Sequence, residues 1–278
     1  MLLNINAVKI VCLKRNSAMA KKRLALCVLL GFSIQTMSST LSSVLPDNTA
    51  QLVVVIVDNE QSITGKLLTF EKSINNSNPF PLWQAYTVTT DVVVGKKGIA
   101  WGNGLHSAQQ GTQKKEGDGK APSGVFTIGS AFGYLPEITT GLNYAQMNKN
   151  DYCIDVNGSP YYNQIVSKAD VGEAEVKQSS EPMRRDLHLN DQLYKKGIVI
   201  EHNINNVSGA GSCIFMHIWR GEHQPTAGCT AMSEMAINQL LDWLDKDKYP
   251  VFTLLTKADY TTLQQRWQLP LLKTHILN

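Results

Sequence analysis

The side chains best suited to covalent chemistry lie between Cys213 and Glu234. This segment reads CIFMHIWRGEHQPTAGCTAMSE and contains two cysteines, Cys213 and Cys229, with His217 between them. A thiol becomes an effective nucleophile when a neighbouring imidazole takes its proton. The residue types therefore indicate nucleophilic catalysis, with Cys229 as the candidate nucleophile and His217 as the candidate base.

The residues around Cys229 are typical of a site that stabilises negative charge. Thr226-Ala227-Gly228-Cys229 runs toward a helix for which Ser233 is a plausible N-cap. We expect the backbone N–H groups of Gly228 and Cys229 to hold an oxyanion. Gly228 would let a substrate carbonyl approach the backbone, and the positive end of the helix would lower the pKa of the thiol.

Other interpretations of these residues remain open. A buried cysteine beside glycine is often a small core residue, and His217 on an apolar strand could be a core histidine. His217, His223 and Cys229 could supply three metal ligands, although their spacing matches no zinc pattern. His202, on the preceding predicted strand, either orients His217 or has a structural role.

The cysteine count indicates one disulfide and one free thiol. Two of the five cysteines lie in the N-terminal segment described below, which leaves Cys153, Cys213 and Cys229. Cys213 and His217 are predicted to share one face of a strand, about 13 Å apart, so they cannot hydrogen-bond. We therefore expect Cys213 to pair with Cys153 and Cys229 to stay free.

The elements that position these residues are mostly strands. Runs of β-branched and apolar residues predict strands at 51–57, 62–70, 83–94, 125–128, 197–202, 213–219 and 251–255. An apolar stripe with helical spacing predicts one helix after Cys229, which ends before Pro250. Residues 102–124 form a long Gly-rich loop of the kind that is usually functional. Residues 135–197 carry no clear pattern. The sequence predicts one mainly-β domain with few helices.

Composition and charge exclude some classes of protein. Hydrophobic residues make up 43% of the chain and charged residues 18%, which favours a packed core over disorder. The net charge of +3 comes from residues 1–45, which hold six basic residues and no acidic ones. The remainder has 20 basic and 23 acidic residues, so it offers no basic surface for nucleic acid.

The N-terminal segment has the pattern of an export signal. Lys21-Lys22-Arg23 precedes a mainly apolar run of eleven residues, Leu24 to Ile34, and small residues follow at 38–43. A bilayer span needs about 20 residues, so this run is too short to remain as a transmembrane helix. We expect residues 1–45 to be an extension plus a signal that begins at Met19, although a buried N-terminal helix is the alternative.

Removal of that signal would take Cys12 and Cys27 with it. The mature chain would be periplasmic or exported, with contact to a membrane only through the signal. We expect a catalytic domain over 46–257 and a tail over 258–278, which contains Pro270 and could be a helix that packs back.

The segment from Gly211 onward resembles the L,D-transpeptidase (YkuD-type) family, and in particular a divergent subgroup. The family pattern is a His, a gap and Ser/Thr-His-Gly-Cys, which His217, Thr226, Gly228 and Cys229 match. Upstream, the run 115–126 ends in PSGVF, which is similar to the family's Pro-Ala/Ser-Gly-x-Phe strand. The resemblance covers roughly residues 50–256.

The chain departs from this family at three points. Ala227 stands where the family usually has His, and Ala231 stands where Asn or Arg is usual. The gap between His217 and Cys229 is also shorter than is common. The nucleophile and base are kept, so these differences affect the acceptor more than the acyl-enzyme step.

The resemblance implies a β-sandwich or barrel-like fold and a peptidoglycan L,D-transpeptidase activity. By analogy, a tetrapeptide stem would acylate Cys229 with release of D-Ala, and an amine acceptor from another stem or from a protein lysine would follow. It implies no cofactor or metal, and acylation of the nucleophile by carbapenems. The alternatives are an L,D-carboxypeptidase with the same residues, a degenerate cell-wall-binding domain, which Ala227 favours, and a metal-dependent peptidase.

The remaining polar residues near the candidate site could contact the substrate or pack in loops. These candidates are Thr226, Arg220, Tyr162 and Asn163, with Asp155 and Tyr161 as further possibilities.

Overall fold

Strands dominate the computed structural model, which describes residues 43–72 and 82–272. The strands in chain order are β1 Gln51–Val57, β2 Thr64–Lys72, β3 Trp83–Val93, β4 Ile99–Trp101, β5 Ala121–Gly133, β6 Tyr144–Gln146, β7 Asp151–Cys153, β8 Ile165–Ser167, β9 Glu181–Pro182, β10 Lys196–Ile200, β11 Phe215–Ile218, β12 Thr230–Met232 and β13 Val251–Thr256. The helices are α1 Lys168–Val171, α2 Glu173–Val176, α3 Arg185–His188, α4 Glu234–Trp243 and α5 Lys257–Trp267. The predicted mainly-β class is confirmed.

Most of the strands form one sheet that closes on itself. Its order is β10-β11-β12-β3-β2-β1-β13-β5-β4, with β6 added at β5. An additional pairing of β10 with β5 closes eight of these strands into a ring. Closure leaves those strands without open edges. Within the ring, β11 and β12 lie side by side in parallel.

β1 is buried on both faces, which explains its uninterrupted apolar sequence. Val53, Val55 and Val57 pack in one core cluster with residues of α4. Leu52, Val54 and Ile56 point the other way, into a second cluster with residues of α5. A strand covered by helices on both faces has no solvent side, so polar residues do not alternate along it. The predicted strand 51–57 is confirmed with the same bounds.

The two longest helices cover opposite faces of this strand. α4 has Ser233 as its N-cap, whose side chain accepts a hydrogen bond from the Ala236 N–H at 3.2 Å. Its apolar stripe includes Ile237, Leu240 and Leu241, all buried. α5 buries Tyr260, Leu263 and Trp267 in the second cluster. The tail of the chain therefore contains a helix that packs back on the sheet.

A smaller accessory sheet, made of β8, β7 and β9 in that order, lies beside the ring. It comes from the part of the sequence that showed no clear pattern. A disulfide joins Cys153, at the end of β7, to Cys213, which precedes β11. Phe132, Met183 and Phe215 are among the residues of a third buried cluster between the accessory sheet and the ring.

Two predictions about the segment around β11 are wrong in detail. The strand covers Phe215–Ile218, and Cys213 lies before it in a left-handed conformation with φ of 55°. Cys213 therefore does not share a strand face with His217, although it does form the predicted disulfide with Cys153. The other error is the omission of β12, which lies between Cys229 and α4.

The predicted signal falls on residues that lie almost wholly outside the described part of the chain. Among the described residues, no helix combines the length and apolar character needed to cross a bilayer.

Candidate active site

Cys229 lies at the end of the loop that enters β12. The parallel pairing of β11 with β12 sets Met216 beside Thr230 and His217 beside Ala231. Cys229 comes directly before this strand pair, and its side chain lines the same cavity as those of His217 and Ala231.

The Cys229 thiol is buried and held by backbone groups. Only 8% of the residue is exposed. Its Sγ accepts a hydrogen bond from the Phe215 N–H and donates one to the Cys213 carbonyl oxygen, each at 3.4 Å. In this resting arrangement the thiol hydrogen bonds to Cys213 and not to His217, contrary to the expectation of a direct thiol–imidazole hydrogen bond.

The tautomer of His217 follows from its one backbone contact. Its Nδ1 lies 2.8 Å from the Ile218 carbonyl oxygen. A carbonyl oxygen can only accept, so Nδ1 carries the hydrogen and Nε2 keeps a lone pair. The Tyr194 ring packs edge-on against the imidazole, with ring centroids 5.2 Å apart, and fixes its orientation.

Cys229 and His217 line the same cavity, which has a volume of about 170 Å³. One wall is apolar and includes Leu193, Trp219 and Pro225. The arrangement can hold a small acyl group next to a thiol and an imidazole base, as nucleophilic catalysis requires.

Burial determines the charge state of both groups. Desolvation raises the pKa of the Cys229 thiol to about 12, with the negative charge of Glu181 adding to the effect. Desolvation also lowers the pKa of His217 to about 4. Both groups are therefore neutral at physiological pH, and the imidazole is available to accept a proton.

The turn before Cys229 differs from the expected oxyanion site. The Gly228 N–H donates to the Thr226 Oγ1 at 3.1 Å, and that hydroxyl donates to the Cys229 carbonyl oxygen at 2.6 Å. A Cβ at position 228 would lie 3.0 Å from the Lys120 carbonyl oxygen. The glycine thus makes room for the backbone at Lys120 and not for a substrate. The Gly228 N–H is therefore occupied within the turn, and the Cys229 N–H remains as the candidate oxyanion donor. Thr226 lines the cavity, and its contact with substrate stays a prediction.

The helix does not act on the thiol. α4 begins at Glu234, and β12 separates it from Cys229. Four extended residues span roughly 13 Å, whereas the effect of a helix terminus falls off within a turn. The expected lowering of the thiol pKa by the helix is therefore wrong.

The cavity also has charged lining residues, Glu181, Arg185 and Arg220, which together with Asp191 behind them form a charged wall. Arg185 donates from Nε and Nη2 to the two carboxylate oxygens of Asp191, each at 2.8 Å. Its Nη1 lies 3.5 Å from Glu181 Oε2, which also accepts from the Tyr194 hydroxyl at 2.7 Å. Arg220 donates from Nη2 to Asp191 Oδ2 at 3.0 Å.

The pKa values in this wall depend on burial and on the ion pairs. Burial raises the pKa of Glu181. Burial also acts to raise the pKa of Asp191, but hydrogen bonds from Arg185 outweigh it and hold that pKa below its usual value. Asp191 is therefore a fixed anion between Arg185 and Arg220.

Sequence analysis missed most of this wall. Glu181, Arg185, Asp191 and Tyr194 all come from the segment without a clear pattern, 35 to 48 residues before Cys229. The charged run from Glu181 to Asp186 was the only signal of their presence. Arg220 was predicted as a substrate contact, and the structure places it at the cavity.

Tyr162 and Asn163 lie away from the cavity, which corrects their expected contact with substrate. The Tyr162 hydroxyl donates to Glu116 at 2.5 Å and accepts from the Gly211 N–H. The Asn163 side chain bonds the backbone of His202 and Cys213. Both residues shape the loop that leads to β11. Tyr161 and Asp155 do not line the cavity either; Asp155 accepts from the Ser180 N–H at 3.0 Å.

The other histidines are not gathered at the site. His202 Nε2 donates to the Ala210 carbonyl oxygen at 2.9 Å, and its ring packs on Phe126, so it does not orient His217. His223 lines a separate, larger cavity of about 840 Å³, whose other lining residues include several from β2 and β3. Within residues 43–72 and 82–272, no three His, Cys, Asp or Glu side chains come together as metal ligands.

Comparison with known protein families agrees with the fold. A model of the L,D-transpeptidase catalytic domain, YkuD, matches residues 82–253, which is more than half of the chain. The chain therefore belongs to the YkuD family of L,D-transpeptidase catalytic domains, whose members are cysteine-dependent acyltransferases that act on peptidoglycan. No curated protein and no solved structure matches significantly.

Proposed function

We propose that this chain is a peptidoglycan L,D-transpeptidase with Cys229 as nucleophile and His217 as base. The main support is that the two side chains line one cavity, and that the Ile218 carbonyl fixes the His217 tautomer with a lone pair on Nε2. Membership of the YkuD family supports the substrate class. The donor would be a tetrapeptide stem that ends in D-Ala.

The first half-reaction forms a thioester. His217 Nε2 takes the thiol proton as Cys229 Sγ attacks the carbonyl carbon of the third residue. The Cys229 N–H donates to the oxyanion of the tetrahedral intermediate. The C–N bond to D-Ala then breaks, and the imidazolium returns the proton to the departing amine.

The second half-reaction releases the acyl group to an amine. The acceptor amine attacks the thioester carbonyl and passes a proton to His217, and the Cys229 thiol forms again as the C–S bond breaks. With water as the acceptor, the same residues would perform an L,D-carboxypeptidase reaction. Product analysis distinguishes a cross-linked peptide from a free tripeptide.

The first test is the intact mass of the mature protein after incubation with a carbapenem. We expect a stable adduct on the wild type and none on Cys229→Ala. For His217→Gln, we expect acylation to slow by about 10²–10⁴-fold, the usual contribution of a general base. Iodoacetamide labelling of the same samples reports whether the thiol is accessible.

An accessible thiol that forms no adduct, and no product from stem peptides, would contradict the proposal and favour a degenerate cell-wall-binding domain. Peptidase activity that is lost with a chelator and kept in Cys229→Ala would favour a metal-dependent peptidase.

We also propose that the chain is exported to the periplasm through its N-terminal signal. The Cys153–Cys213 disulfide supports this location, since disulfides persist in oxidising compartments. Cell fractionation, with N-terminal sequencing of the mature protein, tests it. Recovery of the uncleaved chain with reduced cysteines from the cytosol would contradict it.

A further inference from the structure

Arg220 lies at the cavity with part of its hydrogen-bonding capacity unused. It follows β11, three residues after His217, and lines the cavity together with Cys229. Its side chain is 45% exposed. Among the described residues, its guanidinium makes one hydrogen bond, from Nη2 to Asp191. A guanidinium has five N–H donors, so most of them face the cavity or solvent.

Asp191 binds Arg220 but does not neutralise it, because the same carboxylate is shared with Arg185. Both carboxylate oxygens of Asp191 already accept from Arg185, which is 9% exposed. Arg185 has its remaining contact with Glu181, and Glu181 bonds Arg185 and Tyr194 instead of Arg220. Asp191 thus holds one N–H group of Arg220, while the other N–H donors of the guanidinium are available to a ligand.

The chemistry of these N–H donors favours a carboxylate. Planar guanidinium groups bind carboxylates through two parallel hydrogen bonds, which sets orientation as well as affinity. Ala231, two residues after Cys229, also lines the cavity and carries no charge. Arg220 and Arg185 are the cations among the cavity residues, and Arg185 is already paired.

We propose that Arg220 determines specificity by binding a carboxylate of the donor substrate beside Cys229. The carboxylate is that of the C-terminal residue which leaves when the thioester forms. This proposal rests on the proposed function, because that function supplies a donor with a free carboxyl terminus next to the bond that breaks. A carboxylate on the diamino-acid residue has the same chemistry, and the second experiment separates the two sources.

The first experiment needs no turnover. The rates at which iodoacetate and iodoacetamide alkylate Cys229 are compared in the wild type, Arg220→Gln, Arg220→Lys and Arg266→Gln. We expect the iodoacetate-to-iodoacetamide rate ratio to fall about tenfold in Arg220→Gln, which corresponds to about 1.4 kcal/mol. Arg220→Lys should keep part of the preference.

Arg266 is the matched control, since it lies on α5 and does not line the cavity. Its replacement removes the same charge and should leave the ratio unchanged. Iodoacetamide carries no charge, so its rate shows whether each variant keeps an accessible thiol. An unchanged ratio in Arg220→Gln, with a normal iodoacetamide rate, would overturn the proposal.

The second experiment uses tetrapeptide donors with a free C-terminus, a C-terminal amide, or an amidated diamino acid. We expect the wild type to prefer the free acid over the C-terminal amide, and Arg220→Gln to lose this preference through a higher KM. A preference that follows the diamino-acid carboxylate instead would contradict the assigned source.

The two experiments together distinguish failure of the carboxylate-binding proposal from failure of the transpeptidase assignment. If no donor acylates Cys229 but the alkylation ratio responds to Arg220, the carboxylate site stands and the transpeptidase assignment fails. If donors acylate Cys229 and neither ratio nor donor preference depends on Arg220, the transpeptidase stands and the specificity role fails.

Discussion

The two reactive groups of the site rest in their neutral forms. Burial raises the pKa of Cys229 to about 12 and lowers the pKa of His217 to about 4. Many cysteine enzymes instead start from a thiolate–imidazolium pair. In the mechanism we propose, the proton leaves the thiol as the carbonyl is attacked, so the rate would depend on how well His217 Nε2 is placed.

This charge state predicts how alkylation of Cys229 depends on pH. The thiolate is the reacting form, and its fraction rises about tenfold per pH unit below the pKa. We expect the iodoacetamide rate to climb continuously from pH 6 to pH 9, measured by intact mass over time. A rate that is already constant between pH 5 and 7 would indicate a preformed ion pair and contradict the neutral assignment. Free cysteine, measured in parallel, corrects for the reagent.

At the scale of elements, the sequence predicted those strands whose own residues carry the pattern. β1 and β13 are mostly apolar because both are buried on both faces, and each was predicted to within a residue. β12 was missed, since three residues are too few to show a period and it exists only by pairing with β11 and β3. Because β12 was not foreseen, the sequence placed the helix N-terminus too close to the Cys229 thiol, although the N-cap at Ser233 is confirmed.

The charged wall could not be predicted for a related reason. Arg185 and Asp191 lie on polar loops and a one-turn helix, where hydrophobic periodicity carries no information. The contact of Asp191 with Arg220 spans 29 residues, which local sequence patterns do not reveal. The paired Cys229 and His217 were predictable because a short segment contains both.

The disulfide is the element-scale feature with the clearest consequence. It ties the accessory sheet to Cys213, whose carbonyl accepts from the Cys229 thiol. We expect Cys153→Ala/Cys213→Ala to lose about 2–5 kcal/mol of stability, the usual loss for a native disulfide. Acylation of Cys229 by a carbapenem should also slow. Urea unfolding and intact mass measure the two effects.

Thiol enzymes commonly gain activity when a reductant is added, and the disulfide predicts the reverse here. Treating the wild type with a phosphine reductant should reproduce the slower acylation of the double variant. The double variant itself should not respond to the reductant. An equal or faster rate in the reduced wild type would show that the disulfide does not support the site.

On the scale of the whole molecule, two buried histidines, His106 and His202, pack between the ring and its surroundings at Phe126. His106 stacks on Trp267 of α5 and packs edge-on against Phe126. His202 also packs edge-on against Phe126. Its Nδ1 has no hydrogen-bond partner among the described residues. Burial is the main cause of a lowered pKa at both histidines. For His202 it lowers the pKa to about 4. The folded state keeps these rings neutral.

Acid should therefore destabilise the fold well before the carboxylates titrate. A histidine with a folded-state pKa of about 4 and an unfolded value of 6.5 binds its proton more readily when unfolded. The contribution of such a histidine to the free energy of unfolding is fully present above pH 6.5 and is lost as the pH falls toward 4. For a residue such as His202 the loss is roughly 2–3 kcal/mol. Urea midpoints at pH 7, 5.5 and 4 measure this slope.

The variant His202→Gln tests the origin of the slope. It removes a buried ring, so it should lower stability at every pH, but the loss between pH 6.5 and 4 should shrink because one titrating group is gone. Glu181, whose pKa is raised, acts in the opposite direction in both proteins and cancels in the comparison. Exposed His188 provides the matched control, and His188→Gln should keep the wild-type slope. The same slope in His202→Gln would assign acid sensitivity to other groups and contradict the role of the buried histidine.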